Sequence, residues 1–116
     1  MTRIALQVTQ DLVSTRLDLD APEGSLKVMQ RAVGGYVERV HTQGLDFDMY
    51  ANAEGLFEPD PTVNLVATGF AHTPIVGDVI FTGSPDSEGN TTGLTEEQTL
   101  VVALMLAGAR RFLRAA

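Results

Sequence analysis

The sequence predicts an α+β fold in which a mixed, mostly antiparallel sheet of about five strands is packed by two helices. Three observations predict it. Apolar and polar residues alternate in several short runs, which is the spacing of a half-buried strand. A segment of helical spacing separates two pairs of such runs, and a capping motif opens a long apolar helix near the end. The 116 residues suit a single domain, residues 1–116, in the order ββαββ, an irregular stretch, then βα.

The first two strands are predicted to form a hairpin. Ile4, Leu6 and Val8 lie on one face at a spacing of two, and a second alternating run covers residues 13–19. Proline and glycine within residues 20–24 end this hairpin, because neither residue readily extends a strand ladder.

A helix is predicted over residues 26–33, with Ser25 as its N-cap. The row expected to face the core has helical spacing and consists of Leu26, Met29, Gln30 and Val33. Gly34 and Gly35 end the helix, since glycine accepts the left-handed conformation that closes a last turn.

A second hairpin is predicted after this helix. Residues 36–41 and 45–51 have strand character, and Gln43 and Gly44 form the turn between them. In the second of these strands, apolar side chains alternate with acidic ones, which indicates one buried face.

The middle of the chain is less regular. Residues 52–61 have the composition of turns, and a short helix is expected around Asn64–Phe70. A strand rich in β-branched residues is expected over residues 75–82, with a bulge or bend at Gly77 and Asp78.

The last predicted helix, residues 96–113, begins with a capping box formed by Thr95 and Gln98. Residues 100–109 contain no charged or amide side chain, so this segment has no polar face. It is too short to span a bilayer, which needs about 20 apolar residues. We therefore expect other protein surfaces to cover most of its circumference.

Three ways of covering this helix stay open. Burial within one chain would leave Ala103, Ala107 and Gly108 facing outward. A homodimer would bury the helix through an interface formed by Leu100, Leu104, Ala107 and Gly108. Attachment to a membrane surface is disfavoured, because the arginines that follow are too few and come too late.

Composition excludes several classes of function. Fifteen carboxylates against eight Lys and Arg give a net charge of −7, which disfavours direct nucleic-acid binding. The chain has no cysteine, so it forms no disulfide, thiolate zinc site or iron–sulfur cluster and has no thiol nucleophile. This composition, and an N-terminus that does not resemble a signal peptide, predict a cytoplasmic protein.

No pattern of catalytic residues is recognisable, and we predict no catalytic residue, metal site or cofactor. There is no G-x-S-x-G elbow or phosphate-binding glycine loop. Residues 86–90 place oxygen ligands at alternate positions but lack the spacing of an EF-hand, and His41 and His72 are distant in sequence. Ten carboxylates and no Lys or Arg lie between Val40 and Ala109. This acidic stretch either contacts a partner or only keeps the protein soluble.

Four segments together resemble a known family. They are Leu26-x-x-Met29-Gln30-x-x-Val33-Gly34-Gly35-Tyr36-Val37-Glu38, Asn52-x-Glu54-Gly55, Ile75-Val76-Gly77-Asp78-Val79 and Leu94-Thr95-x-Glu97-Gln98. The pattern resembles an uncharacterised domain family of small proteins from actinobacteria, other Gram-positive bacteria, and their phages and plasmids. The resemblance covers roughly residues 26–98. Residues 56–62 depart from it, and Asn64-Leu65-Val66-Ala67-Thr68 keeps only part of the usual N-P-x-A-T.

This resemblance implies no activity, but it suggests a patch that binds a ligand or a partner. Its members are Tyr36, Glu38, Asn52, Glu54 and Asp78. The alternative is that these residues are structural, with Tyr36 in the core and the others forming turns or accepting backbone amides.

Three functions follow as hypotheses. The first is a small, acidic, non-enzymatic accessory protein of a phage, prophage or plasmid. It would contact a host protein, for which a nucleic-acid or defence enzyme is one candidate. The second is a small-ligand-binding domain, with or without enzymatic activity, whose site is the Tyr36/Glu38/Asn52/Glu54 cluster. The third is an assembly module that dimerises through the last helix.

Overall fold

One antiparallel sheet with helices on both faces forms the part of the chain that the structure describes, residues 3–42, 44–55 and 59–115 of a computed structural model. The elements in chain order are β1 (Ile4–Val8), β2 (Ser14–Asp18), α1 (Ser25–Val33), β3 (Val37–Val40), β4 (Phe47–Asn52), α2 (Leu65–Ala71), β5 (Val79–Gly83) and α3 (Glu96–Ala115). The strand order is β2-β1-β5-β4-β3, and all four pairings are antiparallel. The predicted α+β fold and both hairpins are confirmed.

The last strand of the sequence, β5, is the central strand of the sheet. It pairs with β1 on one side and with β4 on the other, and its five residues are all buried. Alternation along β5 sends Phe81 to one face of the sheet and Ile80 to the other. Two separate apolar clusters result, one on each face.

The larger cluster lies between the sheet and helices α2 and α3. Phe47, Phe70 and Phe81 meet there edge to face, with ring centroids 5.4–6.0 Å apart. Val102 and Leu106 of α3 are buried in the same cluster. These two residues fix which side of α3 faces the sheet.

The smaller cluster lies under α1. The residues that α1 buries are only partly those that the sequence predicted. The helix buries Val28 and Met29, whereas Leu26 is 54% exposed. Ser25 is not the N-cap. It is the first helical residue, and Gly24 precedes it at φ 91° with no side-chain capping bond. A glycine at this position turns the chain where an L-residue would be strained. Of the predicted inward row, Met29 is buried and Val33 packs against the same cluster, whereas Leu26 at the start of the helix faces outward.

Glycines also set the ends of two other predicted elements. Gly34 adopts a left-handed conformation after α1, as predicted. Gly77, at φ 81°, breaks the strand expected over residues 75–82, so that β5 begins only at Val79. The turn predicted at Gln43 and Gly44 falls partly outside the described residues, since Gln43 is not among them.

The expected short helix is confirmed as α2, and the capping box before α3 is confirmed in both directions. The Gln98 amide nitrogen donates to Thr95 Oγ1 at 3.1 Å, and the Thr95 amide nitrogen donates to Gln98 Oε1 at 3.0 Å. The Gln98 side chain also donates to the Asp46 carbonyl at 2.9 Å. This contact ties the start of α3 to the segment just before β4.

Candidate functional site

The five residues of the predicted patch lie near one end of the sheet, where β3 begins, β4 ends and β5 begins. Tyr36 precedes β3 and is 74% exposed, and Glu38 lies on β3. Asn52 ends β4, Glu54 lies in the following turn, and Asp78 precedes β5. The antiparallel pairing brings these segments together because each is at the same end of its strand.

Asn52 joins two segments of the family pattern through its side chain. Its Nδ2 donates to the Val33 carbonyl at 3.1 Å, and its Oδ1 accepts from the Glu54 amide at 2.8 Å. A Cβ on Gly35 would lie 3.3 Å from this Nδ2, so the side chain of Asn52 packs directly over the glycine. Both polar groups of Asn52 therefore hold backbone in place at the end of α1 and after β4.

Asp78 has the same kind of role on the neighbouring strand. Its Oδ1 accepts from the Gln10 amide at 2.9 Å, and its Oδ2 accepts from Gln7 Nε2 at 3.4 Å. The adjacent Gly77 supplies the positive φ that places this carboxylate beside the β1–β2 turn. The carboxylate is thus bonded to groups of the chain itself.

Two open clefts lie at the predicted patch, and each is lined by only some of its residues. A cleft of about 300 Å³ is lined by Asn52 and Asp78 together with Gln10 and residues 59–61. A second, of about 380 Å³, is lined by Glu38, Asn52 and residues 74–76. Among the described residues that line these clefts, Tyr36 and Glu54 do not occur. The five side chains do not converge on one cavity, and their role as a binding patch stays a prediction.

A buried carboxylate was missed by the sequence analysis. Asp48 on β4 alternates with apolar residues and was expected to face solvent, yet it is only 9% exposed. Within the described residues its Oδ2 has no hydrogen bond, and the guanidinium of Arg39 is 4.0 Å away. Burial, with a smaller contribution from this carboxylate, raises the pKa of Tyr50 above its ordinary 10.0. The alternation of polar and apolar residues in the sequence does not reveal the burial of Asp48, because both faces of the sheet are covered.

The loop over residues 86–90 uses its carboxylate to form a turn. Asp86 Oδ1 accepts from the amides of Glu88 and Asn90, each at 2.9 Å. The Asn90 amide is the largest cause of a pKa for Asp86 below its ordinary 3.8. Across the described residues, no group of three His, Asp or Glu side chains is placed to hold a metal ion.

The four residues of the predicted dimer interface share one exposed surface on α3. Leu100 is 58% exposed and Leu104 is 64% exposed, and both Ala107 and Gly108 face outward. Val101 and Phe112, which the predicted interface does not include, lie on the same side and are 44% and 65% exposed. We call this surface the outer face of α3: Leu100, Val101, Leu104, Ala107, Gly108 and Phe112.

The alternative that one chain buries this helix and leaves only Ala103, Ala107 and Gly108 facing outward is therefore wrong. Small residues do face outward as expected, but large apolar ones accompany them. Only Val102 and Leu106 of α3 are buried among the described residues, because the sheet and α2 cover one side of this helix. Apolar residues recur along α3 at alternating intervals of four and three positions. This sequence pattern could have indicated the outer face.

Comparison with known proteins gives a family but no activity. A family model described as Domain of unknown function (DUF3846) matches residues 1–107, which confirms the resemblance to an uncharacterised domain family. No curated protein and no solved structure matches the chain. None of the helices in the described part of the chain has the length and hydrophobicity needed to cross a membrane.

Proposed function

Because the chain belongs to the family described as Domain of unknown function (DUF3846), which assigns no activity, we propose its function from its geometry. We propose that it is a non-enzymatic accessory protein that acts by protein contacts, and that the outer face of α3 is the contact surface. The observation that carries this proposal is the exposure of Leu100, Val101, Leu104 and Phe112 on one side of a single helix. Contiguous apolar surface of this kind is typical of protein interfaces.

The clefts give less support to a small-ligand function. The polar atoms of Asn52 and Asp78, which are the best placed to recognise a ligand, are already bonded to the chain itself. A ligand would have to compete with these bonds or be recognised by the other polar residues of the clefts, which include Glu38, Arg39, His41 and Asp60. We therefore rank ligand binding at these clefts below protein contact.

The setting of this function is proposed from the sequence. The resemblance to small phage and plasmid proteins supports a phage, prophage or plasmid origin, and the absence of cysteine supports the host cytoplasm. A host protein is the proposed target, with a nucleic-acid or defence enzyme as one candidate. The net charge of −7 supports a protein rather than a nucleic acid as the direct partner.

A photo-crosslinking residue placed in the full chain tests this proposal. Position 104 lies on the outer face of α3, whereas position 26 is a matched control, since both are exposed leucines on helices. In producing cells, we expect covalent protein adducts from position 104 well above those from position 26. Equal or absent adducts at position 104 would contradict the proposal. Thermal unfolding of both labelled chains confirms that each is folded.

A further inference from the structure

A heptad row runs along α3 on the side away from the sheet. Glu97, Val101, Leu104, Gly108 and Arg111 follow one another at intervals of four, three, four and three residues, and all five are exposed. Such spacing keeps one set of side chains facing a second helix over several turns. The row is apolar at its centre and charged at its two ends, which is the arrangement of a helix–helix interface with a polar rim.

Within the described residues, no contact of Gly108 explains a glycine at this position. It lies in the interior of α3, where glycine destabilises a helix relative to alanine. A Cβ added there would meet no atom of the described residues within 4 Å, so none of their contacts requires the glycine. A second helix that crosses at this point would approach more closely over glycine than over a larger residue.

The charges at the ends of the heptad row select one orientation. If two copies of α3 pack antiparallel about a two-fold axis at Leu104, then Leu100 lies opposite Gly108 and Glu97 lies opposite Arg111. A parallel pair would instead place Glu97 against Glu97 and Arg111 against Arg111, which is repulsive. Among the ion pairs within the described part of the chain, neither of these two residues occurs. Both are therefore available to a second copy.

We infer that the outer face of α3 docks, antiparallel, on the outer face of α3 of a second copy of this chain, with Leu104 at the two-fold axis. This inference rests on the proposed function and names the occupant of the same surface. The crossing is symmetric, so it forms Glu97–Arg111 pairs at both ends. The second copy then covers the outer face of α3, so a host protein would contact the dimer through the remaining, acidic surface.

The net charge of each copy and the two Glu97–Arg111 pairs together set the strength of the dimer. Each copy carries −7, and this repulsion opposes self-association, but at physiological salt it is screened beyond a Debye length of about 8 Å. The two charge pairs lie in contact, where screening is weaker. An interface of one helix from each copy is small, so we expect a reversible dimer with a dissociation constant in the micromolar range.

Sedimentation of the full chain over increasing concentration measures this dimer, and matched leucine variants locate it. Leu104→Glu places a carboxylate at the two-fold axis, where the two copies would repel, and we expect a monomer at every concentration. Leu26→Glu changes a similarly exposed helical leucine on the opposite face of the sheet, and we expect the dissociation constant of the wild-type chain. A monomeric wild-type chain, or equal effects of the two variants, would overturn the inference.

A charge exchange tests the orientation. Glu97→Arg alone and Arg111→Glu alone each place like charges at both ends of the antiparallel pair, and each is expected to weaken the dimer about tenfold. The double variant Glu97→Arg/Arg111→Glu restores opposite charges and is expected to recover most of this loss. Within one chain the double variant opposes the helix dipole at both ends, so it should lower the thermal stability of the monomer most. Recovery of dimerisation without recovery of stability is an outcome that a purely structural role would not produce.

Failure of this inference and failure of the proposed function are distinguishable. A wild-type monomer whose position 104 crosslinks to another protein would overturn the homodimer and leave the proposed function standing. A chain that neither self-associates nor crosslinks at position 104 would overturn both.

Discussion

Asn64 Nδ2 donates to the carbonyl of Val8 at 3.0 Å, which joins the start of α2 to the end of β1 across 56 residues of sequence. The same nitrogen donates to the Gly77 carbonyl at 2.9 Å, and Asn64 Oδ1 accepts from the Ala67 amide at 3.1 Å. Asn64 is fully buried, so each of these bonds replaces one to water. One side chain thus caps α2 and holds the backbone at the end of β1 and just before the central strand β5.

Asn64→Ala is expected to lower the free energy of unfolding by about 2–4 kcal/mol. It removes the helix cap and leaves two carbonyls without their side-chain donor. Urea unfolding measures this loss. Asn90→Ala, at an exposed loop position, is the control and should change stability by no more than about 0.5 kcal/mol. Equal effects of the two variants would mean that the buried bonds of Asn64 contribute nothing.

Asn52→Ala is expected to destabilise the fold by about 1–2 kcal/mol, because it removes the bond to the Val33 carbonyl and the turn bond to the Glu54 amide. Glu54→Gln keeps the backbone amide of residue 54 and its bond to Asn52, so it should leave stability unchanged within about 0.5 kcal/mol. Urea unfolding of both variants separates a structural Asn52 from a binding residue. A fully stable Asn52→Ala chain would favour the ligand-binding alternative instead.

Stability should fall in acid through Asp20. The Arg3 backbone amide donates to its carboxylate at 2.6 Å and is the largest cause of a pKa below the ordinary 3.8, followed by the Arg3 side chain. A lowered pKa in the folded state means that the unfolded state binds more protons. The stabilisation is therefore present above pH 3.8 and is lost as the pH falls through the lower, folded-state pKa.

The comparison of wild type with Asp20→Asn over a pH series checks this sign. The stability difference between the two chains in urea should be largest near neutral pH and should shrink in acid. A difference that stays constant from neutral pH to well below pH 3.8 would show that the carboxylate gains nothing from Arg3.

Gly108→Ala is expected to have opposite effects on folding and on self-association. It should raise the free energy of unfolding of the monomer by about 0.5–1 kcal/mol, since the added Cβ meets open space in a helix interior. It should also weaken the dimer, because the methyl group keeps the second helix away. Urea unfolding at low concentration and sedimentation at high concentration measure the two effects. A stability gain with unchanged dimerisation would remove Gly108 from the crossing.

Local patterns predicted much of the fold. The strands β1 and β4, the capping box at Thr95 and the turn at Gly34 were predicted from neighbouring residues, and each is present. The central place of β5 was not predictable, because a strand order depends on pairings between distant segments.

The site residues, too, have features that neighbouring residues predict and features that depend on distant segments. Asn64 Nδ2 donates to two carbonyls that no local pattern specifies, so this part of its role could not be foreseen. Residues 100–109 are apolar on all sides of the helix, so the sequence did not show which side is buried. Val102 and Leu106 identify that side only once the sheet is in place.

Disulfide trapping between two variants tests the contact of α3 with a second copy most directly. The chain has no cysteine, so Glu97→Cys and Arg111→Cys each carry a single thiol. When the two variants are mixed and mildly oxidised, the antiparallel pair predicts a mixed disulfide between positions 97 and 111, with an intact Glu97–Arg111 pair at the other end. Disulfides that join only like positions, or no trapped dimer at concentrations where the wild-type chain should self-associate, would contradict it.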